Sequence, residues 1–226
     1  ESRMKTSLKQ ALLILGVFAS IGTVLVGGVG LLAADRMSRQ LDTATAMGDA
    51  MQNAALADMM HDAIRSSVLQ GLLSAQAGDS KGLKQAADEL DEHAADFNKY
   101  LTTLQAIELP PEIRQQVAIV LPKAQAYARS GADLVRLMGT DLERAKAGMA
   151  AFAASFEELE TALAEPGKLL EAYGETVRGQ GAEVTRQTRV WIALALVLVA
   201  LGVMALCWRI IGRVIAGLAA AGMVAE

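Results

Sequence analysis

The sequence predicts an all-α protein: an antiparallel up-down four-helix bundle continuous with two transmembrane helices. Three observations predict it. Two long charge-free stretches lie near the ends of the 226-residue chain. The residues between them are rich in Ala, Leu, Glu, Gln, Arg and Met, which favour helix. Only 4 prolines and 4% aromatic residues leave little from which to build strands. Breaks in the middle segment then cut it into a long, a short, a second short and a second long helix, lengths that close as an up-down bundle with short loops.

Residues 1–10 precede the first apolar stretch and carry Arg3, Lys5 and Lys9. Ala11 to Ala34 is 24 residues without a charge, and Val190 to Trp208 is 19. Each is long enough, at about 1.5 Å per residue, to cross a hydrocarbon core of roughly 30 Å as a helix. The first exceeds the h-region of a cleaved signal peptide, so it reads as a signal anchor. The only two tryptophans, Trp191 and Trp208, flank the second stretch, beside Arg189 and Arg209. Amphipathic rings and basic side chains settle at membrane interfaces, and these four are the expected interface residues.

Charge sets the expected orientation. The two ends outside the spans hold five bases and two acids, net +3, whereas residues 35–189 hold 16 bases and 23 acids, net −7. By the positive-inside rule both termini are cytoplasmic and residues 35–189 are exported, to a periplasm or to the cell exterior. A formal net charge of −4 gives no reason to expect nucleic-acid binding. The lone Cys207 excludes an internal disulfide and a Cys-based zinc site.

Within the exported segment, helix is expected over about 35–77, 81–107, 111–138 and 141–189. Asp79 or Ser80 can cap the second helix. Pro111 suits a first helical position, and Thr140-x-x-Glu143 fits a capping box. Pro122 is expected to kink the third helix, and Pro166-Gly167 to interrupt the fourth. Met47, Met51 and Ala54, then Met60, Ile64, Val68 and Leu72, read as a core stripe. Antiparallel pairing puts Arg65 near the level of His93, Gln125 and Ala154. In the first span, Ala19-x-x-x-Thr23-x-x-x-Gly27 is a small-residue face suited to packing against a dimer mate, or else against the second span. Gly16 and Ser20 form a neighbouring stripe.

The densest polar set on the first helix is Asp58, His61, Asp62, Arg65 and Ser66, with His93 near the same layer. Spacings of three and four put several of them on one face. One reading is a site for a small anion clamped by Arg65 with His61, Asp62, Ser66 and His93 around it. A second is a metal held by His61, His93 and a carboxylate. A third is a solvated face with ordinary ion pairs. No enzymatic constellation is present: there is no Gly-rich phosphate loop, no HExxH and no Cys–His pair with an orienting group, so no enzyme and no cofactor is expected.

The run Met60-His61-Asp62-Ala63-Ile64-Arg65 with Val68-Leu69 resembles helix 1 of the four-helix-bundle sensor domains of bacterial methyl-accepting chemotaxis proteins. The tail Arg209 to Leu218 resembles the start of a HAMP linker (residues 209–226). Ile211 and Leu218 match the family pattern Ile-x-x-Pro-Leu-x-x-Leu, Ile215 stands for leucine, and Val214 stands in the place of proline. The resemblance implies a homodimeric receptor that senses a small molecule or a periplasmic binding protein. It implies that a conformational signal passes through the second span and HAMP to a cytoplasmic signalling module missing from this chain. Sensor kinases and cyclase receptors share this input layout, and a ligand-free membrane-anchored scaffold would share the fold. Amino-acid-sensing members of the family use several clustered arginines on helix 1, whereas here Arg36 and Arg39 lie near the membrane and Arg65 alone lies further out.

Overall fold

The computed structural model describes residues 8–222, and the first seven and last four residues lie outside the described range. The expected cytoplasmic N-terminus and HAMP start are therefore described only in part. The chain is all-helical: α1 (Leu8–Gln76), α2 (Ser80–Ala106), α3 (Pro111–Met138) and α4 (Leu142–Gly222). No strand occurs among the described residues. α1 and α4 each contain an 18-residue stretch long and apolar enough to cross a membrane, and only 6% and 0% of those stretches is buried. Apolar side chains left this exposed need a non-aqueous surrounding, as in a membrane protein.

The residues separate into two compact units, Asp42–Arg178 and the paired ends Glu1–Leu41 with Gly179–Glu226. In the first, α2 and α3 pack side by side, and all four helices contribute buried residues. One core cluster joins Ile64, Val68, Leu90, Phe97, Val120, Tyr127, Phe152, Phe156 and Leu159. A smaller one joins Met47, Ala50, Leu104, Leu109, Ile113, Val117 and Leu170. Of the expected α1 stripe, Met47, Met60, Ile64 and Val68 are buried and Ala54 and Leu72 half-buried. Met51 is a correction: it is 39% exposed, while Met47 and Ala50 hold the buried positions of that turn.

The connections are short because each is closed by its own hydrogen bonds. Gly78 takes φ 70°, the left-handed conformation that costs a side-chain-bearing residue roughly 1–2 kcal/mol. Its N–H donates to the Ala75 carbonyl (3.2 Å), and the Asp79 N–H donates to Ser74 (2.9 Å). This pair of bonds closes a Schellman motif at the end of α1. Asp79 then caps α2, its carboxylate accepting from the N–H groups of Lys81 (3.1 Å) and Gly82 (3.0 Å). The cap is thus Asp79, with Ser80 the first helical residue. Pro111 opens α3 as expected.

Two expectations are corrected. The cap of α4 is Asp141, whose carboxylate accepts from the Arg144 N–H at 3.0 Å. Thr140 instead turns its hydroxyl back toward the Leu137 carbonyl at 3.4 Å, and Glu143 pairs with Lys146 at 2.8 Å. The cap stands one residue later than expected, and with Arg144 three residues on no capping box closes. Nor is α4 interrupted at Pro166, which lies inside the continuous helix. A proline removes one backbone bond, but buried Leu159 and Leu170 anchor the turns on either side. Pro122 likewise lies inside α3, on its exposed side.

In the unit formed by the chain ends, the apolar segments of α1 and α4 touch through glycines. A methyl at Gly22 would stand 2.9 Å from Val199 Cγ1, and one at Gly202 would collide with the Phe18 ring. Small residues let membrane helices approach this closely. Gly78→Ala is expected to destabilise the protein by about 1 kcal/mol through the left-handed turn, and Asp79→Ala by about 1 kcal/mol through the lost cap. Chemical denaturation followed by circular dichroism would measure both.

Candidate functional site

The five residues expected to share a binding site divide between the core and the surface. His61 is 1% exposed. Its ring stacks on Phe156, centroids 4.1 Å apart and planes at 12°. It meets the edge of Tyr127 at 5.0 Å and lies 6.4 Å from Phe97. The Tyr127 hydroxyl donates to the His61 backbone carbonyl at 3.1 Å. Burial also pushes the Tyr127 hydroxyl pKa up, so it stays a neutral donor. All four helices thus supply a ring to one layer. The His61 Nε2 atom is buried with no hydrogen-bond partner, a costly arrangement tolerated where packing holds the ring.

Burial pushes the His61 pKa below its ordinary value, while Asp62, Asp58, the Phe156 backbone and Glu160 pull the other way. The desolvation of an imidazolium outweighs those nearby charges. His61 is therefore a neutral core residue, and its imidazole is turned away from solvent.

Arg65, Asp62 and Ser66 are exposed. The Arg65 guanidinium carbon lies 4.4 Å from the centroid of the Phe156 ring, a cation–π contact worth about 0.5–1 kcal/mol at such a site. No described carboxylate forms an ion pair with Arg65, so its N–H fork remains available for an anion, as the clamp requires. His93 sits apart from this face. Its Nδ1 lies 3.2 Å from Ser67 Oγ, and Ser67, 2% exposed, also donates to the Ala63 carbonyl at 3.1 Å. His93 therefore satisfies a buried hydroxyl that sequence reasoning passed over. Among the described residues, no group of three His, Cys, Asp or Glu side chains could hold a metal ion, and the two histidines face different surroundings.

The layer expected from pairing the helices differs from the contacts observed by up to five residues. Arg65 meets Phe156 rather than Ala154, and Gln125 bonds Asn98 at 3.0 Å rather than approaching His93. The rings of Phe97, Tyr127, Phe152 and Phe156 were missed. Three of the chain's four phenylalanines pack at this level, a juxtaposition that only the folded helices reveal. One to two turns along the helices from His61, a cavity of about 470 Å³ opens among α1, α2, α3 and α4.

At the chain ends, Arg189, Trp191, Trp208 and Arg209 are all exposed, Trp191 by 61% and Trp208 by 80%. Ala19, Thr23 and Gly27 are also exposed. The Thr23 hydroxyl is spent on the Ala19 carbonyl at 3.0 Å, and a methyl on Gly27 would meet nothing within 4 Å. The close approach to α4 is made at Gly22 instead.

Two predictions follow from the His61 layer. The folded-state pKa of His61 lies below the unfolded value of about 6.5. Above that pH both states are neutral there and stability is complete. Below it the unfolded chain takes up a proton that the folded chain resists, so stability falls as the pH drops. Thermal midpoints across pH 5 to 8 (about this range) should decline on the acid side, and His61→Leu should flatten that part of the decline. Phe156→Ala should destabilise by about 3 kcal/mol and Arg65→Ala by less than about 1 kcal/mol, read by chemical denaturation.

Compared with known proteins, the chain matches no family model, no curated sequence and no solved structure.

Proposed function

We propose that the chain is the input module of a transmembrane receptor of the chemotaxis type. In this reading residues 35–189 form an antiparallel up-down four-helix bundle outside the membrane, and residues 11–34 and 190–208 span it. The termini lie in the cytoplasm, and the signal leaves through the second span toward a HAMP linker. The supporting observation is that α1 and α4 are each a single helix, through Pro166 in the case of α4. A helix without a break carries an axial or rotational displacement, whereas a loop would absorb it. Cross-helix pairs fit the antiparallel arrangement: Ser67–His93, Asn98–Gln125 and Lys123–Glu158 each join residues on either side of a short connecting loop, at broadly similar distances from it in sequence.

The homodimer has its own support. On α1, Ala44, Gly48, Met51, Ala55, Met59, Asp62, Ser66, Leu69 and Leu73 recur at steps of three and four and are all exposed. That spacing is the seam of a coiled coil; Met51 already lies against α4 near Gly174, and the stripe residues from Met59 to Leu73 are exposed. Met59, Leu69 and Leu73 are 53%, 42% and 67% exposed. A second α1 would cover the stripe, and Asp62 and Ser66 would then lie in the dimer seam beside Arg65.

Single cysteines in a Cys207→Ser background test the reading. Oxidation of the reconstituted chain is expected to cross-link Met59→Cys into a dimer and to leave inward-facing Ile64→Cys monomeric. A monomer mass in nanodiscs would sink the dimer. In intact cells, a membrane-impermeant thiol reagent is expected to label Gly139→Cys, and failure to label it would overturn the topology.

A further inference from the structure

The two core clusters do not merge, and the cavity of about 470 Å³ lies where they divide. Leu101 and Val120 of one cluster and Leu104 and Val117 of the other form its floor, each no more than 2% exposed. Its sides are built from small residues, Ala54 and Ala57 on α1 and Gly167 on α4. A methyl added at Gly167 would meet nothing within 4 Å. The void thus arises from missing side-chain volume on α1 and α4. Its size falls in the range of small-molecule sites, roughly 300–1,000 Å³.

The mouth has the opposite character. Asp58, Glu160 and Glu171 line the cavity and are exposed, so they stand at its open side. None of the three forms an ion pair with a described residue, although seven pairs occur elsewhere. Lys168, the base nearest in sequence to Glu171, forms none with them either. An apolar floor beneath unpaired carboxylates fits one class of ligand.

We propose that this cavity binds a small amphipathic cation, with its apolar body on the Leu101–Val120 floor and an ammonium-type head held by Asp58 and Glu160, Glu171 lying three turns further along α4. The site is distinct from the Arg65 face and selects the opposite charge. It needs only the fold of residues 42–178, so the receptor reading can fail while this one stands.

The test uses the chain in nanodiscs, with empty nanodiscs as the blank, and calorimetric titration of three probes that share one body: phenylbutylamine, phenylbutanol and phenylbutyrate. The amine is expected to bind at least about tenfold more tightly than the alcohol, and the acid more weakly still; tenfold corresponds to about 1.4 kcal/mol. Asp58→Asn with Glu160→Gln should bring the amine close to the alcohol's affinity. Gly167→Leu should block all three probes while the thermal midpoint holds or rises, since leucine is the better helix former. Equal affinity for the three head groups, no binding of the amine, or undiminished binding to a folded Gly167→Leu variant would each overturn the proposal. Should Gly167→Leu fail to fold, the isosteric carboxylate variants decide alone: an unchanged preference for the amine would overturn it.

Discussion

The structure depends on one polar ring, the His61 imidazole, buried in a largely apolar interior. His61 can be buried only if every neighbour helps to keep it neutral and packed, and the neighbours come from all the helices: Phe97 from α2, Tyr127 from α3 and Phe156 from α4. The Tyr127 hydroxyl, itself buried, is satisfied by the His61 carbonyl, so α1 and α3 are joined at the same level by a directional bond. Leucines would pack in several registers at similar energy. A stacked ring layer with one hydrogen bond tolerates fewer, because a slip of one turn would expose the imidazole or strand the phenol.

From that layer the interior changes along the helices. On one side Ile64, Val68 and Leu90 continue a filled core. On the other, α1 offers Ala54 and Ala57 while α4 offers Gly167, and the helices are not drawn together to close the gap. Each helix end is independently tied: Gly78 and Asp79 fix one corner, Asp141 another. With the ring layer and the corners both set, small residues between them leave space instead of allowing collapse. A core needs no such defect for stability, since large-to-small positions cost free energy.

Much of the fold was legible in the sequence because it rests on local signals. Charge-free length, helix formers and turn residues placed α2 and α3 to within a residue. The errors have physical causes. Thr140 and Asp141 are both competent caps, and the carboxylate at 141 took the role because the Thr140 hydroxyl was claimed by the end of α3. Pro166 looked like a break because propensity weighs a residue against an isolated helix, whereas here buried turns on both sides hold it. The site was less legible. Spacing placed His61, Asp62, Arg65 and Ser66 together on α1, but a polar cluster spread over six positions wraps a helix, and the histidine fell on the inner side. Ser67, the next residue, took His93 as its partner. Only the three-dimensional level of the aromatic residues could have shown this.

The continuity of α1 and α4 constrains any account of function. A proline in mid-helix removes a backbone bond and crowds the preceding turn, yet α4 runs from Leu142 to Gly222 around it. The cavity lies against that same point, lined by Pro166 and Gly167. The turn with the weakest backbone bonding is therefore the turn a cavity ligand would touch. A group bound there would press on a turn of α4 that already lacks one backbone bond. Placed anywhere else along α4, the same cavity would push against a fully bonded helix and move it less. The coincidence of void and proline supports a helix that responds to occupancy, whatever lies beyond its end.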